Sequence, residues 1–419
     1  MTEKLLQFIW QFRHYNANQI VDTNGDKIEV IRPGTLNTNQ GPDFLDARIK
    51  INNTEWAGNV ELHINASDWD LHQHSKDLNY KNIILHVVWK NNKELQLPFS
   101  TLELQPFVSV LLLNKYESLM QSTQFIACGQ QISSIPYLHM AAWKERLLTE
   151  RLQQRSRYIS DLLQQNEQHW EEVFWWMLAR NFGVKVNADA FEAIARSISI
   201  TILAKHKNQI HQLEALLLGQ AAILDTNFDE DYPKMLKREY EFLQKKYTLQ
   251  KPHLPLFQLR MRPANFPSIR LSQLAMLIHC SSHLFSIVRE AKELTEVTAH
   301  LQVTANDYWH YHYNLDEPVA FKKKTLGAQM VQNICINTIA PMLYAYGYYY
   351  NNLQLQQKAI RWLEHISAEK NSISKGFAAL GVSNKNAFDS QALIQLKNEY
   401  CNHKHCLHCA IGNQILKAI

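Results

Sequence analysis

The chain has 419 residues, 46% of them hydrophobic and 20% charged, enough to bury the cores of two or three domains. With 43 basic against 39 acidic side chains the formal charge is only +4, so no chain-wide basicity argues for nucleic acid and any basic surface has to be local. Aromatic residues make up 11% and no low-complexity run occurs, which excludes a disordered or solvating chain.

The first ten residues, MTEKLLQFIW, carry an acid and no long apolar run, so they read as an amphipathic helix and not as a signal peptide. No window approaches the ~18 apolar residues that a bilayer span needs, so no membrane contact is expected. Residues 46–51 and 59–64 alternate or run apolar and β-branched about the polar turn Asn52-Asn53-Thr54, which predicts a β-hairpin. Glu61 and His63 are two apart on its second strand and leave the same face. Ser67-Asp68 marks the start of a short helix expected to run to about Leu78, and residues 82–89 read as a buried strand.

Four segments in this stretch gather acids and histidines able to bind metal or move protons. They are Gly41-Pro42-Asp43-Phe44, Gly58-Asn59-Val60-Glu61-Leu62-His63, Asp68-Trp69-Asp70-Leu71-His72-Gln73-His74 and Leu85-His86-Val87-Val88-Trp89. An acid at one strand end, Glu-x-basic on the partner strand, then a helix and a strand, resembles the core of the PD-(D/E)xK nucleases over roughly the first 110 residues. Pro42-Asp43 matches the PD and Glu61-Leu62-His63 the (D/E)xK, with His where that family has Lys. The resemblance implies a nuclease in which Asp43, Glu61 and His63 are catalytic and hold a divalent ion, Mg²⁺ or Mn²⁺, that activates water. His is a base or a ligand but not a permanent cation. His86 is expected to join the ligands and His72 and His74 to meet substrate, and so many imidazoles suit a softer ion, Mn²⁺ or Zn²⁺, better than Mg²⁺. The plainer reading makes Gly-Pro-Asp a turn, Glu61 half of a surface ion pair and His86 a satisfied core histidine.

Helix-period sequence takes over after Pro106, at 140–163, 170–181, 189–206, 210–224 and 232–246, with Gly183, Asn187 and Pro233 near boundaries. The predicted fold is therefore α+β. A small N-terminal mixed β-sheet domain with flanking helices (1–110) precedes a large all-α domain (111–395) and a Cys/His-rich tail (396–419). Pro252, Pro255, Pro263 and Pro267 impose an extended path that presents Arg260, Arg262 and Arg270. Guanidiniums there would clamp a substrate phosphate, Arg260 and Arg262 first; the alternative pairs them with acids on neighbouring helices. The aromatic run Asp307-Tyr308-Trp309-His310-Tyr311-His312-Tyr313 suits base stacking or, better, filling a helical core, with Lys322-Lys323-Lys324 as a solvated edge.

Cys401, Cys406 and Cys409 stand in C-x4-C-x2-C order among His403, His405 and His408. A Cys-x2-Cys turn places two thiolates on one ion, so Zn²⁺ is expected, with a histidine of the tail or Cys128 as fourth ligand. An iron–sulfur cluster is the lesser alternative, and unmetallated thiols a third. Such cysteine use points to a reducing compartment, and a cytoplasmic bacterial protein is expected. Taken end to end, Gly-Pro-Asp-Phe, Gly-x-Val-Glu-Leu-His, Asp-Trp-x2-His, Leu-His-Val-Val-Trp, Arg-Pro-x-Asn-Phe-Pro, Asn-Thr-x2-Pro and Cys-Leu-x-Cys-Ala-Ile-Gly look like an uncharacterised bacterial family common in Bacteroidetes, a resemblance that transfers no activity. Three functions compete. They are a metal-dependent nuclease acting on DNA or RNA, a non-catalytic nucleic-acid-binding or scaffold protein with a degenerate nuclease fold, and a hydrolase with Zn²⁺ among His63, His72, His74 and His86. Nothing in the sequence fixes an oligomeric state.

Overall fold

A computed structural model describes residues 1–259, 261–281 and 283–417, and Arg260 lies outside the described residues. The chain forms two units, Met1–Trp143 together with Leu396–Ile419, and Lys144–Gln395.

The first unit opens with α1 (Glu3–Gln11), whose N-cap Thr2 accepts the Leu5 N–H at 3.3 Å and whose Leu5, Leu6, Phe8, Ile9 and Trp10 are buried. Its sheet contains β1 (Ile28–Arg32), β2 (Thr35–Leu36), β3 (Phe44–Ile51), β4 (Thr54–Asn65), β5 (Ile83–Lys90) and β6 (Ser100–Glu103). The order is β1-β3-β4-β5-β6, with β2 also paired to β3. β1/β3 and β3/β4 are antiparallel, whereas β4/β5 and β5/β6 are parallel. The hairpin turns on Asn52-Asn53 between paired Ile51 and Thr54, and Asn52 adopts the left-handed conformation (φ 54°) that asparagine tolerates. β5 is buried through its first six residues, as a central parallel strand should be.

Two irregularities bend this sheet. Between β3 and β4 the pairing jumps from Phe44↔Val60 to Ala47↔Gly58, with Asp46 at φ 57°. Between β4 and β5 it jumps from Asn59↔Ile83 to Val60↔Leu85. Such bulges re-aim the side chains beside them. Gly58 allows the second: a Cβ there would lie 2.5 Å from Ile84 Cγ2 and 2.6 Å from the Asn82 carbonyl oxygen, contacts no larger residue tolerates without displacement.

The helix expected to reach Leu78 is shorter. α2 (Asp68–Leu71) stops because Gln73 turns left-handed (φ 57°), and two 3₁₀ turns, His74–Lys76 and Leu78–Tyr80, continue the chain. Short polar side chains bind local backbone instead of propagating the helix: Asp68 accepts the Asn65 N–H at 2.9 Å and Asp77 the Asn79 N–H at 2.9 Å. α3 (Val110–Gln121) completes this side of the unit. The unit therefore runs past the junction expected near residue 110, because the C-terminal helix packs on α3.

The second unit is helical. α4 (Tyr137–Gln164) leads into it, followed by α5 (Trp170–Phe182), α6 (Val184–Ser197), α7 (Ile200–Lys205), α8 (Ile210–Gln220) and α9 (Asp231–Tyr247). The single helix expected over 189–206 breaks because Ser199 caps α7, its hydroxyl accepting the Thr201 N–H at 3.3 Å, while the Glu172 carboxylate accepts the Ile200 N–H at 3.0 Å. After the proline-rich segment come α10 (Pro267–Cys280), α11 (Leu284–Glu290), α12 (Leu294–His300), α13 (Ala328–Ile334), α14 (Ala340–Tyr349), α15 (Leu353–His365), α16 (Ser372–Ala379) and α17 (Ala387–Gln395). α8 is buried along its whole face from Leu213 to Gln220 and packs on α9 and α10. In the first unit again, α18 (Ala410–Lys417) closes the chain. Among the described residues all strands lie in the first unit, as expected, and no single helix is long and apolar enough to cross a membrane.

Candidate metal centre

The parallel pairing of β4 with β5 sets Glu61 opposite His86 and His63 opposite Val88. The bulge at Asp46 brings Asp43, just before β3, beside Glu61. The two acids interlock through backbone: the Asp43 N–H donates to Glu61 Oε2 at 3.0 Å, and the Leu62 N–H donates to Asp43 Oδ2 at 3.0 Å. Gln7 of α1 donates to Asp43 Oδ1 at 2.8 Å, a contact that no motif announces.

The free oxygen of Glu61, Oε1, faces His74 Nε2 at 3.5 Å and His63 Nε2 at 3.6 Å, which stand 3.3 Å from each other. His63, His72 and His74 each offer a ring nitrogen within 4.8 Å of the others. Ligand atoms this close could hold one ion. His86 sits behind them, its Nε2 2.9 Å from His63 Nδ1, so it orients the His63 ring and leaves Nε2 to the centre. Trp69 and Tyr80 wall the imidazoles: Tyr80 stacks on His74 at 4.0 Å, and the Trp69 ring lies 5.2 Å from both His74 and His86. His72 is exposed and marks the mouth, while Glu61, His63, His74 and His86 are buried.

Burial suppresses charge on Asp43, Glu61, His63, His74 and His86. Desolvation, with the Asp43 charge next, raises the Glu61 carboxyl to about 8, and desolvation raises Asp43 to about 6. Desolvation, then the neighbouring rings, lowers His63 to about 3, and His86 falls to about 4. Neutral imidazole is the ligand form, and a divalent cation is the partner that favours two adjacent carboxylates in their charged form.

The other expected site residues lie elsewhere. Arg262 is exposed in the second unit and Arg270 is buried in α10. Lys324 is buried, so the lysine triplet is not wholly a solvated edge. Cys280 is exposed and Cys335 is buried.

In the tail, the π-helical turn Leu396–Cys401 carries Cys401, and Cys406 opens a 3₁₀ turn, Cys406–His408. The N–H groups of Ile411 and Gly412 at the start of α18 donate to the Cys409 sulfur. Cys128, from the segment between α3 and α4, is the fourth thiol: its proton affinity is raised to about 12 by burial and then by Cys409 and Cys406. Cys401 is raised by burial and then by Cys409, Cys128 and Cys406. His403, His405 and His408 are exposed.

Fold and centre together define an α+β protein with a buried carboxylate–histidine cluster on a mixed sheet. The chain belongs to the family described as "Protein of unknown function (DUF2851)", whose profile matches residues 3–372. No curated protein and no solved structure matches it.

Proposed function

We propose that the protein is a metal-dependent nuclease whose ion is held by Glu61, His63, His72 and His74. The observation that carries this reading is the Glu61 carboxylate, one oxygen fixed by the Asp43 N–H and the other 3.5–3.6 Å from His74 and His63. The succession β3, β4, α2, β5 supports this reading, since the resemblance to PD-(D/E)xK cores assigns the acids to Asp43 and Glu61 on that order of elements. Three imidazoles and a carboxylate favour Mn²⁺ over Mg²⁺. The ion would polarise a phosphodiester oxygen and make water a stronger nucleophile near neutral pH. The chain's own groups orient these parts: His86 fixes the His63 ring, Gln7 and the Leu62 N–H fix Asp43, and Tyr80 holds His74 flat.

The test is cleavage of single- and double-stranded DNA and RNA with Mn²⁺, Mg²⁺ or chelator. Glu61→Gln and Asp43→Asn should abolish metal-stimulated cleavage while leaving folding nearly intact. Absence of metal-dependent cleavage by wild-type protein, or full activity in Glu61→Gln, sinks the nuclease reading; metal binding without cleavage then favours the non-catalytic alternative.

For the tail we propose a four-thiol site of Cys128, Cys401, Cys406 and Cys409. The four thiols suit the single Zn²⁺ expected, which takes tetrahedral thiolates, and an iron–sulfur cluster is the alternative. Purified protein should carry zinc that Cys128→Ser removes and Cys280→Ser does not. Iron with visible absorption in place of zinc, in protein purified anaerobically, would move the assignment to a cluster.

A further inference from the structure

We propose that the second unit carries a binding site for a phosphate-bearing anion, in the cavity shared by Arg270 and Lys324. The cavity has a volume of about 690 Å³ and is lined by Lys185, Arg262, Arg270, Lys322, Lys323 and Lys324, with no acidic residue in its wall. Six cations line this one cavity in a chain whose formal charge is only +4, a local concentration of positive charge.

Two of the six are buried, with 7% of Arg270 and 5% of Lys324 exposed. Buried cations are ordinarily paired with carboxylates, because an unpaired one loses several kcal/mol of hydration. Among the described residues neither is paired with a carboxylate. Arg270 donates to the neutral oxygens of Gln273 at 2.9 Å and Asn265 at 2.6 Å, and its Nε has no partner. Among the described residues the Lys324 ammonium has no hydrogen-bond partner either, and it rests 3.8 Å from the centre of the Tyr313 ring. Gln273 links the two, since it also donates to the Lys324 carbonyl oxygen at 3.2 Å.

This arrangement positions positive charge without neutralising it. A phosphate supplies what is missing, namely negative charge and several acceptor oxygens for a planar guanidinium and an ammonium. Lys324 reaches the anion by a change of rotamer off the Tyr313 ring, which then faces the cavity as a stacking surface. The volume lies in the range of small-ligand sites and accommodates one nucleoside phosphate or one strand end. The site stands whether or not the metal centre of the first unit cleaves phosphodiesters.

The experiment uses the full chain in chelator, so that no anion is held through a metal. Thermal shift and calorimetric titration are run with inorganic phosphate, AMP, ADP, and one oligonucleotide with and without a 5′-phosphate. The phosphate-bearing probes should bind, and Arg270→Gln and Lys324→Met should weaken them by at least about tenfold, the loss of a charge-assisted hydrogen bond. In anion-free buffer Lys324→Met should melt no lower than wild type, because it removes an uncompensated charge. Preference for ADP or for the phosphorylated strand identifies the source of the phosphate, and either supports the site. No binding by any probe, equal binding by the variants, or a large loss of stability in anion-free Lys324→Met overturns it.

Discussion

Glu214 on α8 is 0% exposed, and it sets a pH dependence on the second unit. Trp309 Nε1 donates to its Oε1 at 3.1 Å and the Tyr232 hydroxyl donates to its Oε2; Asn306 in turn donates to Tyr232 at 2.7 Å. All three are neutral donors, so burial outweighs hydrogen bonding and pushes the carboxyl from 4.5 up to about 7. The folded state therefore holds this proton more tightly than the unfolded chain does. Its stabilisation is complete below pH 4.5 and is lost as pH rises to about 7. Integrated between about pH 5 and pH 8, the loss amounts to about 2.5 kcal/mol. Glu214→Gln imitates the protonated acid, keeps its shape and has no proton to lose. Urea denaturation of both proteins at the two pH values, followed by tryptophan fluorescence, gives a double difference in which every other titrating group cancels. Wild type should lose about 2.5 kcal/mol more than the variant over this interval. Parallel pH profiles would mean that the carboxyl ionises near its ordinary value and that burial at this position has been misjudged.

Two further predictions test packing and orientation. His86→Leu should weaken Mn²⁺ binding at the first unit by tenfold to a hundredfold, about what loss of a ligand-orienting hydrogen bond produces, whereas His86→Gln, which keeps a partner for His63 Nδ1, should retain most of it; equal affinities in titration would remove His86 from that role. Gly219→Ala should destabilise the second unit by at least about 2 kcal/mol, because its Cβ would meet the Tyr240 ring at 2.1 Å, and Tyr240→Leu in the same chain should recover part of the loss in denaturation measurements.

What the sequence revealed depended on how local the signal was. Alternation about Asn52-Asn53 marked the β3–β4 hairpin, and Glu61 and His63 two apart were enough to place both on one face. The α+β class followed from the change of period after Pro106. Helix ends were harder, because Gln73 and Ser199 stop helices through backbone and capping choices that periodicity does not register. Long-range partners were invisible: Gln7 meets Asp43 across 36 positions, and nothing in its neighbourhood signals a polar contact. Lys324 misled because three consecutive lysines read as solvated, and only the fold turns the third inward over Tyr313. Cys128 could be suggested by thiol chemistry alone, but its place among the tail cysteines rests on tertiary packing.

Because Met1–Trp143 and Leu396–Ile419 make one unit, the ribosome must translate all of Lys144–Gln395 before the last pieces of that unit exist. At about 5–20 residues per second this delay is on the order of ten to fifty seconds. During it the emerging β-sheet lacks α18 and three of its four clustered thiols, while the helical unit already has its full sequence. The helical unit is thus expected to mature first on the nascent chain, and the sheet with its histidine centre last. A stop codon after residue 395 would leave the earlier-maturing unit intact and deprive the sheet unit of Leu396–Ile419.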